Sequence, residues 1–157
     1  MKLLLLTNDN GTDGGNQNGY TTQFTCNFNQ VINLPKNCKM CILAYTLRDD
    51  NAPKMHYLEI SNLPLYTPVG NRNSGQVRSI LGSMVSNGYY NATGGSEHND
   101  QNLMNGMYEP RNLKWIDLNN PNEIPLTQLQ CKITNQNGSE SSSLSQTEPI
   151  EIMIGYK

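Results

Sequence analysis

Two histidines and four cysteines are the residues of this chain best suited to chemistry. His56 lies in Met55-His56-Tyr57-Leu58-Glu59-Ile60, where alternation puts it on one strand face with Leu58 and Ile60. A general base needs a nucleophile and an orienting partner, and no neighbouring pattern supplies them. His56 therefore reads as a core-edge histidine with a hydrogen bond. His98 sits in Gly95-Ser96-Glu97-His98-Asn99-Asp100 and reads as a solvated loop residue. No Ser, His and Asp spacing singles out a triad. Cys38-Lys39-Met40-Cys41 has the C-x-x-C spacing, while Cys26 and Cys131 form no second copy of it. In a strand, residues three apart face opposite ways, which is poor geometry for a shared zinc ion or a redox couple. The cysteines read as buried, apolar-like thiols, reduced by default. Asp9, Asp13, Asp49 and Asp50 lack the oxygen-ligand spacing of a calcium loop. No phosphate-binding glycine pattern occurs. The expectation is a protein that is not an enzyme, with no cofactor and no metal.

The elements that carry these residues are set by composition. Only 15% of the 157 residues are charged, and the polarity comes from Asn, Gln, Ser and Thr. Such a composition favours strands joined by Asn/Gly turns over helices. The formal net charge is -2, and Lys36 with Lys39 is the nearest approach to a basic cluster. Direct nucleic-acid binding is not expected, because it needs clustered cations against phosphates. The apolar run Leu3-Leu4-Leu5-Leu6 is too short for a signal-peptide core, which needs roughly seven residues or more. It is also far below the roughly twenty needed to span a bilayer. It reads as a short buried strand. Asn10-Gly11-Thr12, Asn91-Ala92-Thr93 and Asn137-Gly138-Ser139 match the glycosylation triplet, as an Asn-rich chain does by chance.

The most continuously apolar stretch is Cys38 to Leu47. As a strand it puts Met40, Ile42 and Ala44 on one face and Cys41, Leu43, Tyr45 and Leu47 on the other, so both faces should be covered. A second strand, Met55 to Ser61, ends at Asn62-Leu63-Pro64, where Pro64 lacks a ladder donor. Tyr20, Thr22, Phe24, Cys26 and Phe28 alternate with polar residues as a half-buried strand does. Val31 to Leu34, Val77 to Val85, Leu113 to Leu118, Leu129 to Ile133 and Ile150 to Ile154 complete the set. Asn87-Gly88 reads as a hairpin turn. Residues 8–19, 65–76, 91–102 and 138–147 read as loops. About eight to ten short strands are too many for one open sheet. The fold expected is all-β: a single jelly-roll β-sandwich of two antiparallel sheets, about eight strands, with long loops, in one domain over 1–157.

Aromatic residues divide by element. Tyr20, Phe24, Phe28, Tyr45, Tyr57 and Trp115 lie on strands and are expected in the core. Tyr66, Tyr89, Tyr90 and Tyr108 lie in or beside loops, where exposed tyrosines favour interfaces and sugar-binding surfaces alike.

Three ordered stretches carry a resemblance. The first is Leu4-Leu5-Leu6-Thr7-Asn8-Asp9-Asn10 with Phe24-Thr25-Cys26-Asn27-Phe28 and Leu34-Pro35-Lys36-Asn37. The second is Met40 to Leu47, then Tyr57-Leu58-Glu59-Ile60-Ser61-Asn62-Leu63-Pro64 and Val77-Arg78-Ser79-Ile80-Leu81-Gly82. The third is Leu129 to Gly138 with a closing Ile150-Glu151-Ile152-Met153-Ile154. In this order they resemble the single jelly-roll penton, or minor capsid, proteins of virophages, polinton-like viruses and related double jelly-roll viruses. The resemblance spans nearly the whole chain.

The resemblance implies a structural capsid protein in the virion, made in the host cell without a signal peptide. It implies homopentamers at icosahedral fivefold vertices, beside a double jelly-roll major capsid protein. It carries over no catalytic residue. A ring of five uses a head-to-tail contact, with an apolar and aromatic patch inside a polar rim. Tyr66, Tyr89, Tyr90, Leu103, Met104 and Tyr108 are the candidate assembly contacts. The alternative is a monomeric carbohydrate-binding or adhesion jelly roll, since sandwich folds host both functions. Such sites stack sugars on aromatics, and the single Trp115 lies within an expected strand.

Overall fold

Every described segment is organised by strand pairing, and none is helical. The structure, a computed structural model, describes residues 1–9, 21–49, 54–70, 75–88, 109–141 and 150–157. In chain order the strands are β1 (Lys2–Thr7), β2 (Gln23–Leu34), β3 (Lys39–Thr46), β4 (Arg48–Asp49), β5 (Met55–Ile60) and β6 (Thr67–Gly70). They continue as β7 (Gly75–Arg78), β8 (Ile80–Val85), β9 (Asn87–Gly88), β10 (Ile116–Asp117), β11 (Ile124–Thr134) and β12 (Glu151–Tyr156).

Two four-stranded antiparallel sheets pack as a sandwich, ordered β1-β12-β3-β10 and β2-β11-β5-β8. The pairing is nested. β1 pairs with β12, β2 with β11, β3 with β10 and β5 with β8, so early strands meet late ones in reverse order. A long hairpin of paired strands, wrapped so that successive pairs alternate between layers, gives this order. That is the jelly roll expected from the sequence.

One core fills the space between the layers. β1 contributes Leu4 and Leu6, β12 contributes Ile152, Ile154 and Tyr156, and β3 contributes Met40, Ile42 and Tyr45. The facing sheet contributes Leu58 and Ile60 from β5, Leu81 and Met84 from β8, and Leu129, Cys131 and Ile133 from β11. Each such side chain is worth about 1.5–3 kcal/mol when fully buried. Gly82 lets the layers approach. A Cβ there would lie 2.7 Å from Ile42 Cδ1 on the opposite sheet. The Val85 amide donates to the Tyr45 hydroxyl at 2.8 Å and ties β8 to β3 across the sandwich.

The strand faces differ from simple alternation. Met153 pairs with Ala44 and Ile154 with Ile42, so Leu43 is the extra residue of a bulge in β3. The bulge reverses the phase. Tyr45 and Leu47 join Met40 and Ile42 in the core, instead of lying opposite them. The two cysteines of the C-x-x-C stretch do separate. Cys38 lies in the core, while Cys41 pairs with Gly155 on the other side of the strand.

Other boundaries move as well. β2 runs unbroken through Asn29 and Gln30. Its ladder to β11 goes out of step there, with residues 28–31 facing residue 127 alone. Val77 to Val85 is two strands broken at Ser79, and β7 pairs back on β6 as a hairpin inside the stretch read as the 65–76 loop. Asn87-Gly88 is no hairpin turn but a short strand parallel to β4. Only Ile116 and Asp117 of the Leu113–Leu118 stretch form a strand. The chain then turns at Asn119, whose φ is 52°. Asn tolerates that left-handed conformation. The buried Asn120 next to it clasps the turn before β3. Its Nδ2 donates to the Pro35 and Asn122 carbonyls at 2.8 and 2.7 Å, and its Oδ1 accepts from the Cys38 amide at 2.9 Å.

Candidate interaction surface

The outer face of the β1-β12-β3-β10 sheet is apolar. In a strand made of four consecutive leucines, two must point each way. Leu4 and Leu6 enter the core, and Leu3 and Leu5 stand outside it, each 56% exposed. Leu3 pairs with Gly155 and Leu5 with Met153, which puts the half-buried Met153 and Leu43 on the same outer face. The side chains of Leu43 and Met1 lean over Gly155. A Cβ there would meet Leu43 Cδ1 at 3.0 Å and Met1 Sδ at 3.2 Å. One end of the face is charged. Lys39 Nζ lies 3.2 Å from an Asp117 oxygen, and Lys157 Nζ lies 4.2 Å from the centre of the Trp115 ring. An apolar centre with a polar border is the anatomy of a protein contact surface. One face of Trp115 is thus covered by a cation rather than open for a sugar to stack on.

A second exposed apolar group rides on the β6–β7 hairpin. Tyr66 is 78% exposed, and Pro68 and Val77, paired across the hairpin, are exposed beside it. The hairpin is anchored by Arg78, which is only 7% exposed. Its Nε donates to Glu59 Oε1 at 3.0 Å, and its Nη2 reaches the same oxygen and the Thr134 hydroxyl. Nη2 and Nη1 also donate to the carbonyls of Asn135 and Gln136, at 3.3 and 3.4 Å. Thr134 Oγ1 donates to Glu59 Oε1 at 2.6 Å, and the guanidinium lies 5.4 Å from the Tyr57 ring centre. One arginine thereby joins β5, β7, β11 and the turn after β11. The turn is shaped to receive it. Gly138 has φ of 82°, a left-handed conformation that favours glycine and lets the turn lie against the guanidinium.

His56 is buried, as its strand face predicts, and its Nδ1 lies 2.8 Å from Ser141 Oγ. The pair has the spacing of a base and a hydroxyl, yet both side chains are sealed, at 1% and 3% exposure. It holds the segment after β11 against β5.

All four cysteines are free thiols. Burial pushes Cys38 and Cys41 up. Cys26 behaves differently. Hydrogen bonding from the Cys131 thiol brings it down to about 7, against the opposing effect of burial. Cys131 is raised by the same contact and by its own burial. Among the described residues, no group of three or more His, Cys, Asp and Glu side chains is placed to hold a metal ion.

Of the assembly contacts expected from the sequence, Tyr66 is exposed on the hairpin. Tyr89, Tyr90, Leu103, Met104 and Tyr108 lie outside the described residues, as do Tyr20 and His98. Tyr57 and Trp115 are half-buried on outer faces rather than in the core, each against a cation. The run Leu3 to Leu6, expected as a short buried strand, is buried on one side only: Leu4 and Leu6 enter the core while Leu3 and Leu5 are exposed, because alternation sends two of the four outward. No family model matches the chain, and no curated protein matches it.

Proposed function

We propose that this chain is a structural subunit of a viral capsid, a penton that forms pentamers at the fivefold vertices beside a double jelly-roll major capsid protein. The observation that carries the reading is the outward apolar face of Leu3, Leu5, Leu43 and Met153 on a jelly-roll sheet. A sheet already covered on its inner face exposes such a patch at a cost in solubility, unless another protein covers it. The hairpin patch of Tyr66, Pro68 and Val77 belongs to the other side of the fold, on segments attached to the β2-β11-β5-β8 sheet. Two different apolar surfaces on one subunit suit a head-to-tail contact, which closes into a ring when the rotation per step allows. The ordered sequence resemblance to single jelly-roll pentons supports the same reading.

Light scattering across concentration tests it. The expected result is a species five times the 17.6 kDa chain, or a rise toward it, lost in the Leu3→Ser/Leu5→Ser variant. A strict monomer at every concentration that binds immobilised glycans overturns the proposal in favour of a carbohydrate-binding module.

A further inference from the structure

Two thiols occupy diagonal positions on neighbouring strands, and the assembly reading makes no use of them. Cys26 on β2 stands opposite Leu129, and Cys131 on β11 stands opposite Phe24. They are diagonal neighbours, and both point into the sandwich. The Cys26 thiol also donates to the Thr7 carbonyl of β1 at 3.4 Å, so it lies where the two sheets meet. The geometry points to a redox-sensitive modification site: Cys26 and Cys131 close to a disulfide that staples β2 to β11 when a hydroperoxide oxidises the protein.

Three structural facts favour this pair. Cys26 is half-buried, so a small oxidant reaches it, whereas Cys131 is 1% exposed and waits behind it. β2 is an edge strand, and its ladder breaks at residues 28–31, close to Cys26. Diagonal neighbours lie roughly 7–8 Å apart, so closing the bond draws β2, held by a ladder on one side only, toward β11. Cys38 and Cys41, the pair that spacing suggests, lie on opposite sides of their strand and have no such approach.

The chemistry balances in two steps. The Cys26 thiolate attacks a peroxide oxygen, the O–O bond breaks, and hydroxide leaves to take up the Cys26 proton as water. The product is a sulfenic acid. The Cys131 sulfur attacks the sulfenic sulfur, the S–O bond breaks, and the departing hydroxide takes the Cys131 proton. Two thiols lose two electrons, and one hydrogen peroxide becomes two waters. Of the groups facing Cys26, the Cys131 thiol of β11 favours its thiolate, whereas the Thr7 carbonyl of β1 accepts from the neutral thiol. Oxidation of Cys26 removes the negative charge that holds the Cys131 proton in place.

The test uses the intact wild-type chain. It is treated with hydrogen peroxide, unfolded, alkylated and mapped by mass spectrometry. The expected product has lost two hydrogens, takes up two alkyl groups instead of four, and yields a dithiothreitol-reversible peptide joining Cys26 to Cys131. A Cys38–Cys41 link, or Cys26 sulfinic acid with Cys131 still free, overturns the proposal. Alkylation of the folded, reduced protein is the second measurement. The rate at Cys26 should rise about tenfold between pH 6 and pH 8, as the thiolate fraction does around a midpoint near 7. A profile still climbing above pH 9 overturns it equally. Neither readout depends on the oligomeric state.

Discussion

Replacing Arg78 with Met tests how the hairpin is held. The variant keeps an unbranched, apolar stem of similar length and removes the guanidinium. Glu59 then loses both of its arginine donors and keeps the Thr134 hydroxyl. The carbonyls of Asn135 and Gln136 lose their donor too. The Arg78 and Glu59 side chains are 6% and 18% exposed, so water replaces the lost partner poorly. Removing one member of a buried ion pair costs about 3–5 kcal/mol, most of it from the charge left behind. With a urea slope of roughly 2 kcal/mol per molar, the midpoint should fall by about 1.5–2.5 M. Urea titration followed by intrinsic fluorescence measures it. The companion is Glu59→Leu/Arg78→Met, which leaves no orphaned charge. It should recover at least half the loss, because buried pairs often break even against apolar replacements. A loss under about 1 kcal/mol in the single variant would place the pair among solvent-screened surface bridges and refute the argument.

Three further outcomes follow from other contacts. Gly82→Val drives a branched side chain into Ile42 across the sandwich and should cost about 1–3 kcal/mol in thermal or urea melts. Asn120→Ala strands the buried Cys38 amide, and about 1–3 kcal/mol should be lost on the same assays, while the Pro35 carbonyl, on an exposed residue, can turn to water. The Leu3→Ser/Leu5→Ser variant should keep the wild-type circular-dichroism spectrum while its light-scattering mass falls to that of one chain and its melting loses the dependence on protein concentration that assembly gives.

Much of the fold is legible in the sequence, for a local reason. Alternation in Phe24-Thr25-Cys26, in Leu129-Gln130-Cys131-Lys132-Ile133 and in Ile150-Glu151-Ile152 marks strands with one buried face, and Asn/Gly turns separate them. The burial of His56 beside Leu58 and Ile60 follows from the same rule. What failed was phase and partnership. The bulge at Leu43 reverses the faces of β3, because the ladder to β12 skips one residue, and no local pattern in Met40 to Leu47 announces it. The β6–β7 hairpin hides in a stretch that looks like loop, since four-residue strands with Pro and Gly carry little alternation.

For the candidate surface the division is sharper. Residue types and their alternation specify an all-β chain with strands of period two, and they oblige Leu3 and Leu5 to face away from Leu4 and Leu6, although the run reads as a buried strand. Those follow from covalent geometry, which acts on neighbours along the chain. Packing of the two sheets made Leu3 and Leu5 the outward pair. It also brought Arg78, Glu59 and Thr134 together from β7, β5 and β11, and placed Cys26 against Cys131 rather than Cys38 against Cys41. These depend on nested pairing of strands up to 154 residues apart, as Lys2 with Tyr156. Sheet order and register are properties of the whole packed sandwich, and a core must close before either is settled.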